Sequence, residues 1–245
     1  MLALKIIVIL GFVLMHTVQI HAFGSRAAGR ITKRVALGTT LAETIIKLSG
    51  FSLILFLPAL AYLVESGISI YDYLILITLA YFLTFLSSVI MIIKLNSLQK
   101  FYQIVFLKYN KNTIPVALFK SLISKKIDFN GKDCKNFTFE LPVFKKTLVS
   151  FISYIFFVSG YFFAFMLAVL YPENRLTVSQ FTTLIHAFGI LIFAVYLDPM
   201  LSRSIDNFAD DTSWLRNFYS ILLGRMLSYF VVFILLSIFI LFKFY

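Results

Sequence analysis

Charge is scarce in this chain, and negative charge scarcer still: 13% of its 245 residues are charged, with 11 Asp and Glu against 22 Lys and Arg. Soluble proteins carry about a quarter charged residues, so an ordinary water-facing surface is excluded. Cys134 is the single cysteine, which rules out an intramolecular disulfide and a cysteine-based zinc site. Enzyme signatures are missing as well. There is no Gly-rich phosphate loop with a following Lys, so no ATP-driven pump in this chain. Neither a G-x-S-x-G elbow nor the paired histidine and arginine motif of a membrane lipid phosphatase appears. Asp210-Asp211 offers a strained match to a glycosyltransferase metal site and reads better as a helix-capping region. The expectation is a protein that is not an enzyme and holds no metal or cofactor.

What is present is apolar: 60% of residues are hydrophobic and 18% aromatic. A bilayer core of about 30 Å takes about 20 mostly apolar residues per helix, and six runs are long enough, at 4–22, 36–64, 71–95, 147–171, 177–198 and 218–242. They predict an all-α integral membrane protein with about six spans, forming a single polytopic domain over 1–245. Helices 1–3 fall in 1–95, a Lys-rich loop in 96–146 and helices 4–6 in 147–245. The second and sixth runs exceed one bilayer thickness, so tilt or extension is expected. Three spans on each side of the loop invert the second half relative to the first, as in many transporters built from inverted repeats, although the halves share no evident sequence similarity.

A net charge of +11 suggests nucleic acid only if the cations share a soluble face, and these sit between apolar helices. They report topology instead. The first loop holds Arg26, Arg30, Lys33 and Arg34, the second no cation, the third ten lysines, the fourth Arg175 and the fifth Arg203 and Arg216. The positive-inside rule then puts loops one, three and five in the cytoplasm and both termini outside. A cleaved signal peptide is the rival reading of the first run. His16, Gln19 and His21 near the supposed cleavage point, and four cations just after it, oppose it. On the cytoplasmic side the sequon Asn136-Phe-Thr138 carries no meaning. Residues 114–127 set Ile114, Leu118, Leu122 and Ile123 against Lys120, Lys125 and Lys126, predicting an amphipathic helix on an anionic leaflet. It serves either as a connector or to gather substrate. Asn130-Gly131 marks a turn.

Ionisable residues inside spans are few, and each costs several kcal/mol in lipid unless paired or hydrated. Glu43 and Lys47 lie four apart on the second span, share a face and are expected to point inward, either as a structural pair or lining a transport cavity. Arg225 lies about two turns into the sixth run, too deep to snorkel. It either ties helices together through Glu43 or Asp198, or offers a fixed guanidinium to phosphate oxygens. His16 and Gln19 share a face of the first span. Helix-to-helix hydrogen bonding, headgroup contact and proton relay are open to them and to His186. Arg175 and Gln180 stand at the outer mouth of the fifth span, either solvated or releasing a headgroup.

The run from His16 through Gly24-Ser25-Arg26-Ala-Ala-Gly29-Arg30-Ile-Thr32-Lys33 resembles the opening of the Amj family, bacterial lipid II flippases that act as alternates to the MurJ type. Pro172-Glu-Asn-Arg175-Leu-Thr177-Val-Ser179-Gln180, Leu197-Asp198-Pro199, Asp206 and Gly224-Arg225 follow in the order that family shows. The resemblance spans nearly the whole chain. Gln19 stands where the family pattern has glutamate, Glu43 where it has asparagine, and Lys47 about three residues before an arginine. The resemblance implies translocation of undecaprenyl-pyrophosphate-linked peptidoglycan precursor, lipid II, across the bacterial cytoplasmic membrane. Arg26, Arg30 and Lys33 would collect the headgroup, Lys47 and Arg225 would hold it midway, and Glu43 or a histidine would couple protons. Six helices make a thin wall around so large a headgroup, so a homodimer is expected. A flippase for another polyprenyl-linked glycan and a non-transporting scaffold of envelope synthesis are the alternatives.

Overall fold

The computed structural model describes residues 1–123, 139–206 and 211–244. Lys125, Lys126, the predicted turn at Asn130-Gly131, Cys134, the sequon at Asn136 and Asp210 lie outside the described residues. Among the described residues there is no strand. Six helical stretches among the described residues are long and apolar enough to cross a membrane: Leu2–Ile31, Val35–Glu65, Ile70–Ile93, Phe144–Leu170, Pro172–Ser204 and Thr212–Phe244. The chain is an all-α protein with six candidate spans, as its apolar runs predict.

In chain order the helices are α1 (Leu2–Ile31), α2 (Val35–Ser49), α3 (Phe51–Glu65), α4 (Ile70–Ile93), α5 (Leu95–Tyr109), α6 (Ile114–Ile123) and α7 (Phe144–Leu170). A 3-10 turn at Pro172–Asn174 leads to α8 (Arg175–Ser179) and α9 (Phe181–Ile192). A π-helical turn at Phe193–Leu197 joins α9 to α10 (Asp198–Asp206), and α11 (Asp211–Phe244) closes the chain.

The first helix outruns its apolar stretch, so Arg26 and Arg30 lie on α1 and not in a loop. Ala27, Ala28 and the arginines are good helix formers, and α2 packs closely on this extension. A methyl group on Gly29 would stand 2.8 Å from Cα of Gly38, and Ser25 Oγ donates to the Gly38 carbonyl at 3.0 Å. The turn between the helices is a Schellman motif. Lys33 takes φ 57°, its N–H reaches Arg30 O, and the Arg34 N–H returns to Gly29 O at 2.8 Å. The second run is divided at Gly50 into α2 and α3, and Pro58 inside α3 cannot donate to the carbonyl one turn back.

The chain groups into two compact units: Met1–Val13, Leu53–Leu86 and Phe139–Tyr245 form unit 1, and Leu14–Ser52 with Ser87–Thr138 form unit 2. Unit 1 is cored by aromatic rings. Phe12 meets Phe162 with centroids 4.6 Å apart and Tyr81 at 5.5 Å, and the buried Tyr73 hydroxyl donates to Phe162 O at 2.7 Å. Unit 2 packs Leu41, Ala42 and Ile45 of α2 against Leu98, Tyr102, Val105 and Phe106 of α5. Helix α5 was not foreseen from the apolar runs, because it is amphipathic and short. The predicted amphipathic helix is present as α6, with Ala117 and Ser121 buried and Phe119, Leu122 and Ile123 exposed.

Candidate functional site

The position with the strongest chemical demand is Arg225, which is 2% exposed within the apolar length of α11. The residue before it sets the geometry. Gly224 lets α11 touch α7, since a methyl group there would lie 2.6 Å from Ser150 Cβ and from Thr147 O. Ser150 Oγ fastens the contact by donating to Ile221 O at 3.0 Å. One turn beyond Ser150 on α7 stands Tyr154, and one turn beyond Arg225 on α11 stands Tyr229. The guanidinium carbon lies 5.0 Å from the Tyr154 ring centroid, a cation–π distance. Its Nε donates to the Tyr229 hydroxyl at 2.9 Å.

A third phenol lies near Tyr229. Tyr81 of α4 is 1% exposed, and its hydroxyl has no hydrogen-bond partner. A buried phenol that gives up hydration without a replacement costs about 1–3 kcal/mol. The ensemble is therefore a permanent cation in an aromatic, hydroxyl-bearing enclosure. The guanidinium carries five N–H donors, of which Nε serves Tyr229, and cannot release its charge by deprotonation.

The other predicted residues fall elsewhere. Glu43 and Lys47 are both exposed on α2 and form no ion pair with each other. The inward direction expected for them is overturned because Leu41, Ala42 and Ile45 occupy the buried side of α2. Lys47 belongs to unit 2 and Arg225 to unit 1. The five-residue offset back from Gly38 and Gly29 sets Glu43 level with Gly24, at the end of the apolar stretch of α1, where a charged head reaches the interface. Glu43→Gln and Lys47→Gln are accordingly expected to shift stability by less than about 0.5 kcal/mol each, measured as thermal melting in detergent. A loss above about 2 kcal/mol would show that the pair is buried in the working protein.

Arg26 and Arg30 are half-buried along the last two turns of α1, and Lys33 is exposed at the hairpin tip. Arg175 donates to the Glu65 carbonyl at 3.1 Å and so caps the end of α3. Gln180 is exposed, and Asp198 is half-buried at the start of α10. His186 is fixed by α7: its Nδ1 lies 2.8 Å from Phe157 O, and its ring lies tilted against Phe157 with centroids 4.3 Å apart. His16 and Gln19 are both buried, at 0% and 6% exposure, in unit 2.

Unit 2 also holds buried polar residues that the apolar runs and loop charges do not single out. Ser88, Gln99 and Gln103 are buried, and the Tyr102 hydroxyl meets His21 Nδ1 at 3.2 Å. Burial pushes the Tyr102 phenol above its usual range, so it stays neutral at any ordinary pH. The signal for Gln99 and Gln103 was their spacing of four on the face that carries Leu95, Leu98 and Tyr102. The chain matches no family model, and neither a curated protein nor a solved structure matches it.

Proposed function

We propose that this chain is a flippase that carries lipid II from the inner to the outer leaflet of the bacterial cytoplasmic membrane. The observation that carries the reading is Arg225, a guanidinium buried within an apolar span and dressed by tyrosines. An ionised side chain at such a depth costs several kcal/mol and is by default a functional group. Pyrophosphate offers the delocalised negative charge that guanidinium binds best, and the phenols of Tyr154 and Tyr229 supply further donors. Alternating access then means that the α7–α11 contact opens and closes around Arg225.

By the positive-inside rule the Arg-rich α1–α2 hairpin faces the cytoplasm, where Arg26, Arg30 and Lys33 meet the headgroup first. Both chain ends then lie on the outer side. The buried His16 and Gln19 are the candidates for coupling. The test is rescue of bacteria depleted of their native lipid II flippase, scored by labelling of lipid II in the outer leaflet. Expression of this chain is expected to restore growth and labelling. Failure of a well-inserted protein to restore either would overturn lipid II as the cargo and turn attention to other polyprenyl-linked glycans.

A further inference from the structure

A second cationic position in unit 1 is built differently from Arg225. The start of α7, the π-helical turn with α10, and the first turns of α11 enclose a cleft of about 440 Å³, open to its surroundings. Lys146, Asn217 and Arg203 line its polar part, and Val195, Tyr196 and Met200 its apolar part. None of its described lining residues is acidic. Asn217 is 6% exposed, and its Oδ1 accepts from Lys146 Nζ at 2.5 Å, so a buried amide fixes the ammonium at the cleft. Arg203 is an exposed lining residue, and Arg216 is near enough to add its field to that of Lys146.

The backbone explains why Arg203 stands there. Pro199 has no N–H, and its ring would clash with the carbonyl of Val195 in a regular α-helix. The chain widens instead into the π-helical turn, with the Asp198 N–H reaching back five residues to Phe193 O. Such turns are frequent at functional sites. Along the same helix Leu184, Phe188, Leu191 and Val195 are all exposed, and their 4-3-4 spacing puts them on one side. This apolar stripe ends at Val195, inside the cleft.

A cleft with one cation held by a buried amide and a second beside it, no carboxylate among its described lining residues, and an apolar track leading from it into the span has the chemistry to bind an anionic amphiphile. We infer that it binds the phosphate of an anionic membrane lipid, with one acyl chain laid along the stripe from Val195 to Leu184. The site does not depend on the translocation reading and stands whether or not the chain moves lipid II. Free phosphate shares the headgroup chemistry but has no use for the stripe.

The experiment uses the full chain in phosphatidylcholine vesicles and compares association of spin-labelled phosphatidylglycerol with spin-labelled phosphatidylcholine. Each cation near an anionic headgroup contributes about a fivefold preference, so wild type is expected to favour phosphatidylglycerol by roughly tenfold or more. The doubly neutralised Lys146→Gln/Arg203→Gln protein should lose most of that preference, with Arg216 the cation left nearby, and Arg203→Lys should keep it. If the double variant does not fold, Arg203→Gln alone answers, because Arg203 is exposed and its loss should cut the preference about fivefold. Equal association of both lipids with wild type, or an unchanged preference in Arg203→Gln, would overturn the inference. So would full displacement of the lipid by millimolar inorganic phosphate, which would make the free anion the ligand.

Discussion

Arg225→Met is expected to leave a folded, membrane-inserted protein that no longer rescues bacteria lacking their lipid II flippase. Methionine keeps much of the stem volume, and it removes the desolvation penalty of a guanidinium that is 2% exposed. Against that gain, Tyr229 loses the donor that reaches its hydroxyl at 2.9 Å, at a cost of about 1–3 kcal/mol. The two effects oppose each other, so the melting temperature in detergent should move by only a few degrees. Rescue separates a structural arginine from a working one. If Arg225 only ties α11 to α7, a stable methionine variant will rescue as well as wild type. If it holds a pyrophosphate, rescue will vanish while the protein remains at normal abundance. Arg225→Lys keeps the charge but loses the planar fork, and is expected to rescue partially.

The second large effect is on folding. Gly189→Val should leave little protein in the membrane, and Gly189→Ala should already lower stability by about 2 kcal/mol. A methyl group at Gly189 would stand 2.5 Å from the backbone N of Phe157 and 2.7 Å from Ser153 O, and neither can swing aside as a side-chain end would. Pushing α9 outward would also break the bond from Ser153 Oγ to Gly189 O, now 2.8 Å. Gly67 provides the contrast. Nothing lies within 4 Å of a methyl group placed there, yet its φ of 78° suits glycine, so Gly67→Ala should cost only about 1 kcal/mol. Fluorescence-detected size-exclusion after heating measures all three. Equal melting of Gly189→Ala and wild type would refute the close α7–α9 contact.

The spans were legible because lipid demands long apolar runs, and each of the six runs became a candidate span. Their ends were not. Hydropathy stops near residue 22 of α1, but the helix continues to Ile31 because alanines and the Gly29–Gly38 contact support it without apolarity. The spacing of Glu43 and Lys47 correctly says that they share a face. Which face is a question of what covers α2, and that is decided by α5, whose amphipathic pattern is submerged in a lysine-rich loop. Depth in the apolar run marked Arg225 as buried. Its partners Tyr154 and Tyr229 carried no signal, since 13 tyrosines and 29 phenylalanines make any one aromatic unremarked. The cleft at Lys146 was hidden for a similar reason. Its cations read first as markers of topology, and the Asn217 that fixes Lys146 lies far along the chain.

The length of α11 has a consequence for where this protein can work. At 34 residues it is about 51 Å long, against a hydrocarbon core of about 30 Å. Even a tilt of about 40°, the upper end for spanning helices, leaves ~10 Å projecting. The end that carries Arg216 and Asn217 is the polar one, so the boundary between oil and water falls beside Lys146. Shortening the surrounding acyl chains moves that boundary along the helix by roughly 1.5 Å per leaflet for a bilayer about 3 Å thinner. That is half the length of a hydrogen bond. The helix thus makes the grip of the cleft on a headgroup sensitive to acyl-chain length, and membranes of different fatty-acid composition would tune it without any change in sequence.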